Sequence, residues 1–380
     1  MPRIVLAAAL LLLSAGVAHA DDDFKTCASG APDYAIMACT NLIEGGKLDA
    51  RDQSVAYTNR AVAFRKRGGL KRALADLNRA VEIAADQAPI YANRGIVYQL
   101  MDEVDQALAD FNRAIELDPN NAVFYLNRGA VYQRKKDADR ALADYNHAIE
   151  LNPSLGMAYN NRGEVFREKG DLDLAIADYN RAIELDPKQA FAYANRAYVY
   201  MSKGEFDRAL AEYTRAIELD PAFVNAYRGR AGLNRKMGKL TASLADAEQA
   251  LALNPTSAFA HDTRAHTLAA LGRRNEAIAE YTKALAIKPD LTRELAGPGR
   301  PQTRRSFNGA GKTLGRLGLH QPCGVAERSR HKLERKQPCR IHGARQPDLT
   351  WRNRHEAEPA VIGHVPYEHD EAKALRARTR

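Results

Sequence analysis

The chain has 380 residues, 56 Lys and Arg against 47 Asp and Glu for a formal charge of +9, and 45% hydrophobic residues. Four cysteines exclude a disulfide-dense miniprotein, and no apolar run reaches the ~20 residues that would cross a bilayer, which excludes a multi-span membrane protein. The positive balance points to nucleic acid or an anionic surface only if the charge sits on the folded part.

Taken from the N-terminus, residues 1–20 read as a signal peptide. Arg3 supplies positive charge, Ile4–Val17 is apolar, and Ala18-His19-Ala20 is a small-x-small cleavage site followed by Asp21. The mature chain is then expected to start near Asp21 and to be periplasmic or secreted. The segment 21–53 follows as an N-terminal cap, with Cys27 and Cys39 close enough in sequence for a structural disulfide of about 3 kcal/mol in an oxidising compartment. A redox pair would favour Cys-x-x-Cys spacing, which is absent.

From residue 54 to 291 the sequence repeats itself. YANRGIVYQL (91–100), YLNRGAVYQR (125–134), YNNRGEVFRE (159–168) and YANRAYVYMS (193–202) recur every 34 residues. Arg60, Arg94, Arg128, Arg162, Arg196, Arg230 and Arg264 keep that period over seven units, and the closing prolines from Pro119 to Pro289 keep it over six. Such a period without insertions predicts a solenoid of stacked units. Each unit reads as two helices. In the third, Tyr125, Gly129 and Tyr132 share one face of a first helix; Ala141, Tyr145 and Ala148 share a face of a second, and Asn152-Pro153 ends it. AIMACTNLIE (35–44) aligns with ALAEYTRAIE (209–218), so 33–44 reads as a lone second helix capping the stack.

These columns resemble the tetratricopeptide repeat: a large aromatic, Gly or Ala four on, an aromatic three further, Ala-x-x-x-aromatic-x-x-Ala and a closing Pro. The resemblance implies an all-α, right-handed α-α superhelix, a TPR solenoid of helix-turn-helix repeats with a disordered C-terminal tail. Departures fall at the ends: Ala85 replaces the first Pro, Asn234 and Ala247 replace aromatics in the sixth unit, and His261 opens the seventh. They are expected to weaken packing locally.

Two columns exceed what helix packing needs. Arginine stands where the family usually has Leu, in step with Asp76, Asp110, Asp144, Asp178, Glu212, Asp246 and Glu280. On antiparallel helices this predicts a structural ladder in which Arg94, Arg128, Arg162 and Arg196 pair with acids such as Asp110, Asp144 and Asp178. The other column is Asn59, Asn93, Asn127, Asn161 and Asn195, broken at Gly229 and Thr263. The resemblance implies that it faces the concave groove. An amide there offers a donor and an acceptor to a peptide main chain, or simply hydrates the groove; the sequence leaves both open.

After Pro289 the pattern stops. Residues 292–380 hold 15 Arg and 4 Lys against nine acids, so 1–291 carries 37 basic and 38 acidic residues. The tail reads either as a disordered basic segment for polyanions or as translation out of frame in a GC-rich gene. GAGKT at 309–313 has Ser306 where a phosphate loop needs Gly, and Cys323, His331, Cys339 and His342 lack zinc spacing.

The expected function is a non-catalytic interaction scaffold binding a peptide or protein segment in the concave groove, without cofactor, metal, specific nucleic acid or membrane span. His147, His261 and His266 form no coherent catalytic cluster. The alternative is polyanion or envelope-surface binding through the basic tail.

Overall fold

The computed structural model describes residues 23–289 and Leu291. The expected signal peptide at 1–20 and the basic tail lie outside the described residues. Those described are helical throughout, with no strand.

The first unit spans residues 23–195. A short helix, α1, includes 23–29, and α2 (Pro32–Glu44) follows it. The hairpins are α3 (Ala50–Lys66) with α4 (Leu70–Ile83), α5 (Ala88–Leu100) with α6 (Val104–Leu117), α7 (Ala122–Arg134) with α8 (Ala138–Leu151), and α9 (Gly156–Lys169) with α10 (Leu172–Leu185). The second unit starts at Arg196, within α11 (Ala190–Lys203). It continues through α12 (Phe206–Leu219), α13 (Val224–Lys236), α14 (Leu240–Leu253), α15 (Ala258–Ala270) and α16 (Arg274–Ile287).

Small residues on first helices admit large ones from second helices. A Cβ on Gly129 would lie 2.7 Å from the Tyr145 ring, and one on Gly95 would lie 3.0 Å from Phe111. Tyr145, Tyr179 and Phe111 are accordingly fully buried. No single hairpin encloses such rings alone, and stacking onto the next completes the core, as with Phe111, which clusters with Phe124 and Val131 of α7.

Both bends of the repeat have local causes. Within each hairpin one residue takes a left-handed backbone: Gly68, Asp102, Lys136, Gly170, Gly204, Gly238 and Gly272, again 34 apart. Glycine adopts this conformation without strain; Asp102 (φ 67°) and Lys136 (φ 60°) adopt it despite a Cβ. Between hairpins the acid or amide before the proline folds back on the chain. Asn152 Oδ1 accepts from the Ser154 amide at 3.0 Å, and Asp186 Oδ1 accepts from that of Lys188 at 3.0 Å. These turns end the second helix and start the next repeat.

The N-terminal cap differs from its expected form. The second-type helix α2 is not alone: α1 precedes it, and Cys27 on α1 is disulfide-bonded to Cys39 on α2. Both cysteines are buried with Leu42 and Ala56, so Cys39 occupies a core position otherwise held by an aromatic.

The departures at the far end are also compensated. Tyr125 donates its hydroxyl to the carbonyl of Pro119 at 3.1 Å, and His261 Nε2 meets that of Pro255 at the same distance. Tyr91 of the second repeat uses the carbonyl of Ala85 at the end of the first, where no proline is needed because only the carbonyl matters. Asn234 donates to Asp246 at 3.1 Å, and Ser243 joins the Ala231 carbonyl to Thr267. Hydrogen bonds here replace the missing aromatic contacts.

Candidate partner-binding site

The arginine column is engaged by the fold. Arg94 donates from Nε and Nη2 to both oxygens of Asp110 at 2.8 Å, and Arg162 does so to Asp178 at 2.8 and 2.7 Å. Arg60 pairs likewise with Asp76, Arg128 with Asp144 and, in the second unit, Arg230 with Asp246. Arg196 bonds to Glu212 and Arg264 to Glu280. For Arg60, Arg94, Arg128 and Arg162 the hydrogen bond to the acid outweighs desolvation and raises the guanidinium pKa further.

Three of these guanidinium groups also make a third contact, to an asparagine. Nη1 of Arg94 donates to Asn78, that of Arg128 to Asn112 and that of Arg162 to Asn146, at 3.0, 2.9 and 2.7 Å. These amides belong to the second helix of the preceding repeat, so one arginine joins two repeats. The guanidinium also lies over flanking rings: Arg128 is 5.5 Å from Tyr125 and 5.9 Å from Tyr132. The repeating Asn78, Asn112 and Asn146 were the available signal.

The asparagine column is largely buried. Asn93, Asn127 and Asn161 are 2%, 1% and 2% exposed, while Asn59 and Asn195 are half-buried. Successive first helices touch, and the amides lie at this seam: Asn195 donates to Asn160 at 3.1 Å, and Asn160 donates to Asn161 at 3.3 Å. Asn93 donates to the carbonyl of Pro89. Two amide atoms are buried without a hydrogen bond, the Oδ1 of Asn93 and the Nδ2 of Asn161. Such atoms are uncommon in folded proteins and cost about 1–3 kcal/mol each. The column ends at Gly229 for a steric reason, since a Cβ there would sit 2.4 Å from the Tyr213 ring.

Among the described residues no group of three His, Cys, Asp or Glu is placed to hold a metal, and no helix is long and apolar enough to cross a membrane. His147 lies on the edge of the Tyr125 ring beside Glu150, and His261 bonds to Glu280.

Comparison with known proteins agrees with this architecture. Family models described as tetratricopeptide repeat match residues 88–121, 122–155, 190–223 and 260–291, and one described as TPR repeat matches 163–204. No curated protein sequence matches. A tetratricopeptide repeat protein from Parabacteroides merdae is similar in structure at 22% identity, covering 62% of this chain and 94% of that one, with a TM-score of 0.52. The APC/C hetero-tetramer Cut9-Hcn1 is similar at 18% identity, covering 71% of this chain and 52% of that one, with a TM-score of 0.57. At these identities the likeness is one of fold. With helical hairpins at a constant 34-residue period and family-model matches over 88–155, 163–223 and 260–291, this is a tetratricopeptide-repeat protein across those residues.

Proposed function

We propose that the protein is a non-catalytic scaffold that binds a peptide or protein segment along its first-helix face. The observation that carries this reading is the pair of half-satisfied amides, Asn93 with an idle acceptor and Asn161 with an idle donor. A peptide main chain supplies the opposite of each, independent of its side chains. The amides turn outward to meet it, and the ligand's hydrogen bonds offset that motion. The arginines are poor ligand groups by comparison, because Asp110, Asp144 and Asp178 already hold their charge. Export to an oxidising compartment fits both the leader-like residues 1–20 and the disulfide at the cap.

Cross-linking in the exporting cell identifies the partner, whose affinity is then compared between the natural chain and Asn93→Ala/Asn161→Ala. The double variant should bind about tenfold more weakly while keeping its melting temperature. Equal affinity removes the amides as the site. Failure to capture any partner through the repeats removes the scaffold reading.

A further inference from the structure

The first repeat carries its charge unevenly. From Gln53 to Ala75 the chain has six basic residues and no acid. Four of them, Lys66, Arg67, Lys71 and Arg72, are exposed and flank the bend between α3 and α4. The Gly69 amide donates to the Phe64 carbonyl at 2.8 Å, and the Arg72 guanidinium lies 5.7 Å from the Phe64 ring, so both sides of the bend meet at one tip. Later tips neutralise such charge between repeats. Arg134 and Lys135 pair with Asp102 and Asp105 of the preceding repeat at 2.6 and 2.9 Å, and Lys169 reaches Asp139 at 3.3 Å. In the first repeat those acidic positions hold Gly68 and Lys71, and the facing positions of the second hold Leu100 and Met101. The acid that meets this tip is Asp33 of α2, 3.1 Å from Arg67 Nε; Lys66, Lys71 and Arg72 have no ion pair among the described residues.

Beside this tip stand two exposed apolar side chains. Asp33 and Met37 are i and i+4 on α2, and Tyr34 and Met37 are i and i+3, so the three share the side that touches Arg67. Tyr34 is 67% and Met37 63% exposed, the most of any large hydrophobic residue among those described. The aligned positions are Arg140 and Ala143 in α8, and Arg208 and Ala211 in α12. We propose that this corner docks on an anionic lipid bilayer. Tyr34 and Met37 enter the headgroup boundary, and Lys66, Lys71 and Arg72 lie among the phosphates with their stems along the apolar layer. Charge selects a negative surface, and the apolar pair selects a bilayer over a nucleic acid, which offers phosphates but no apolar phase. A tyrosine ring with its hydroxyl outward suits that boundary. The acids Asp23, which lies beside Asn41, and Glu44 sit at the C-terminal end of α2, so the basic end is the one that faces the lipid.

The test places one indole at the site, by Tyr34→Trp in a full chain whose sole tryptophan is removed by Trp351→Phe. Vesicles of phosphatidylglycerol and phosphatidylcholine in equal parts should shift its emission to the blue, and brominated acyl chains should quench it. Phosphatidylcholine alone should do neither, and about 0.5 M NaCl should reverse the shift. Adding Lys66→Gln/Lys71→Gln/Arg72→Gln should raise the lipid concentration required at least about tenfold, with the melting temperature unchanged. Vesicle binding that leaves the indole unquenched, or quenching that survives the triple substitution, overturns the proposal, because residues 1–20 or 292–380 then carry the adhesion. A short DNA duplex or an acidic protein that binds through the three cations, while vesicles leave the indole unchanged, overturns it too. The proposal is independent of the amide reading: either can fail while the other stands.

Discussion

Arg128 and Asp144 stand sixteen residues apart, on antiparallel helices of one repeat, and meet through two parallel hydrogen bonds of 2.9 and 2.7 Å. The aspartate is 7% exposed at its side chain and the arginine 20%, so the pair is mostly removed from water. Asp144→Ala leaves the guanidinium half-buried beside Asn112 and two aromatic rings. The expected loss is about 2–4 kcal/mol in urea unfolding, far above the ~0–1 kcal/mol of an exposed pair. An unchanged midpoint would show that the ladder does not hold the repeats.

Lys136 occupies a bend position where five other repeats place glycine. Its left-handed backbone crowds the Cβ. Lys136→Gly should therefore stabilise the chain by about 0.5–1 kcal/mol, although glycine ordinarily destabilises. The urea midpoint would move up; a downward shift sinks the strain argument.

Gly129 faces the fully buried Tyr145 ring, and Gly229 faces the Tyr213 ring of the preceding helix. Gly129→Ala should cost about 1–3 kcal/mol, because Tyr145 has no space to retreat within its repeat. Gly229→Asn, which would extend the amide column on paper, should cost at least as much. Thermal melts of the two variants check this, and a neutral result for either would mean that the rings move freely.

Glu280 gives the second unit an acid-sensitive point. Burial alone would raise its pKa, but hydrogen bonds from His261 and Lys283 together outweigh it and hold the carboxyl below its ordinary value. Its contribution to stability is therefore present above the unfolded pKa of about 4.3 and is lost as pH falls through the lower folded value. Glu280→Gln should be less stable at neutral pH and should lose less stability below about pH 4.3 than the natural chain. Parallel acid limbs in urea titrations would contradict this.

How far the sequence carries can be seen residue by residue. The pairing of Arg94 with Asp110 is legible because both columns keep one spacing and two antiparallel helices convert that spacing into a contact. The left-handed bends could also have been read from Gly68, Gly170, Gly204, Gly238 and Gly272. The reach of Arg94 to Asn78 is harder to see, because it depends on how one hairpin lies on the one before it.

The opening charge of +9 belongs to residues 292–380, and the repeats are near neutral. By itself the sequence determined the period, the helical hairpins, their stop points and the acid opposite each arginine, since these follow from positions along one or two neighbouring helices. Only the tertiary structure decided that the asparagines are buried at a seam, that Tyr213 excludes a side chain at Gly229, and that Asp262 faces arginines 27 and 34 positions earlier in the chain. Burial and residual hydrogen-bonding capacity arise from the packing of one repeat on the next, and residues a full period apart meet only when that packing forms.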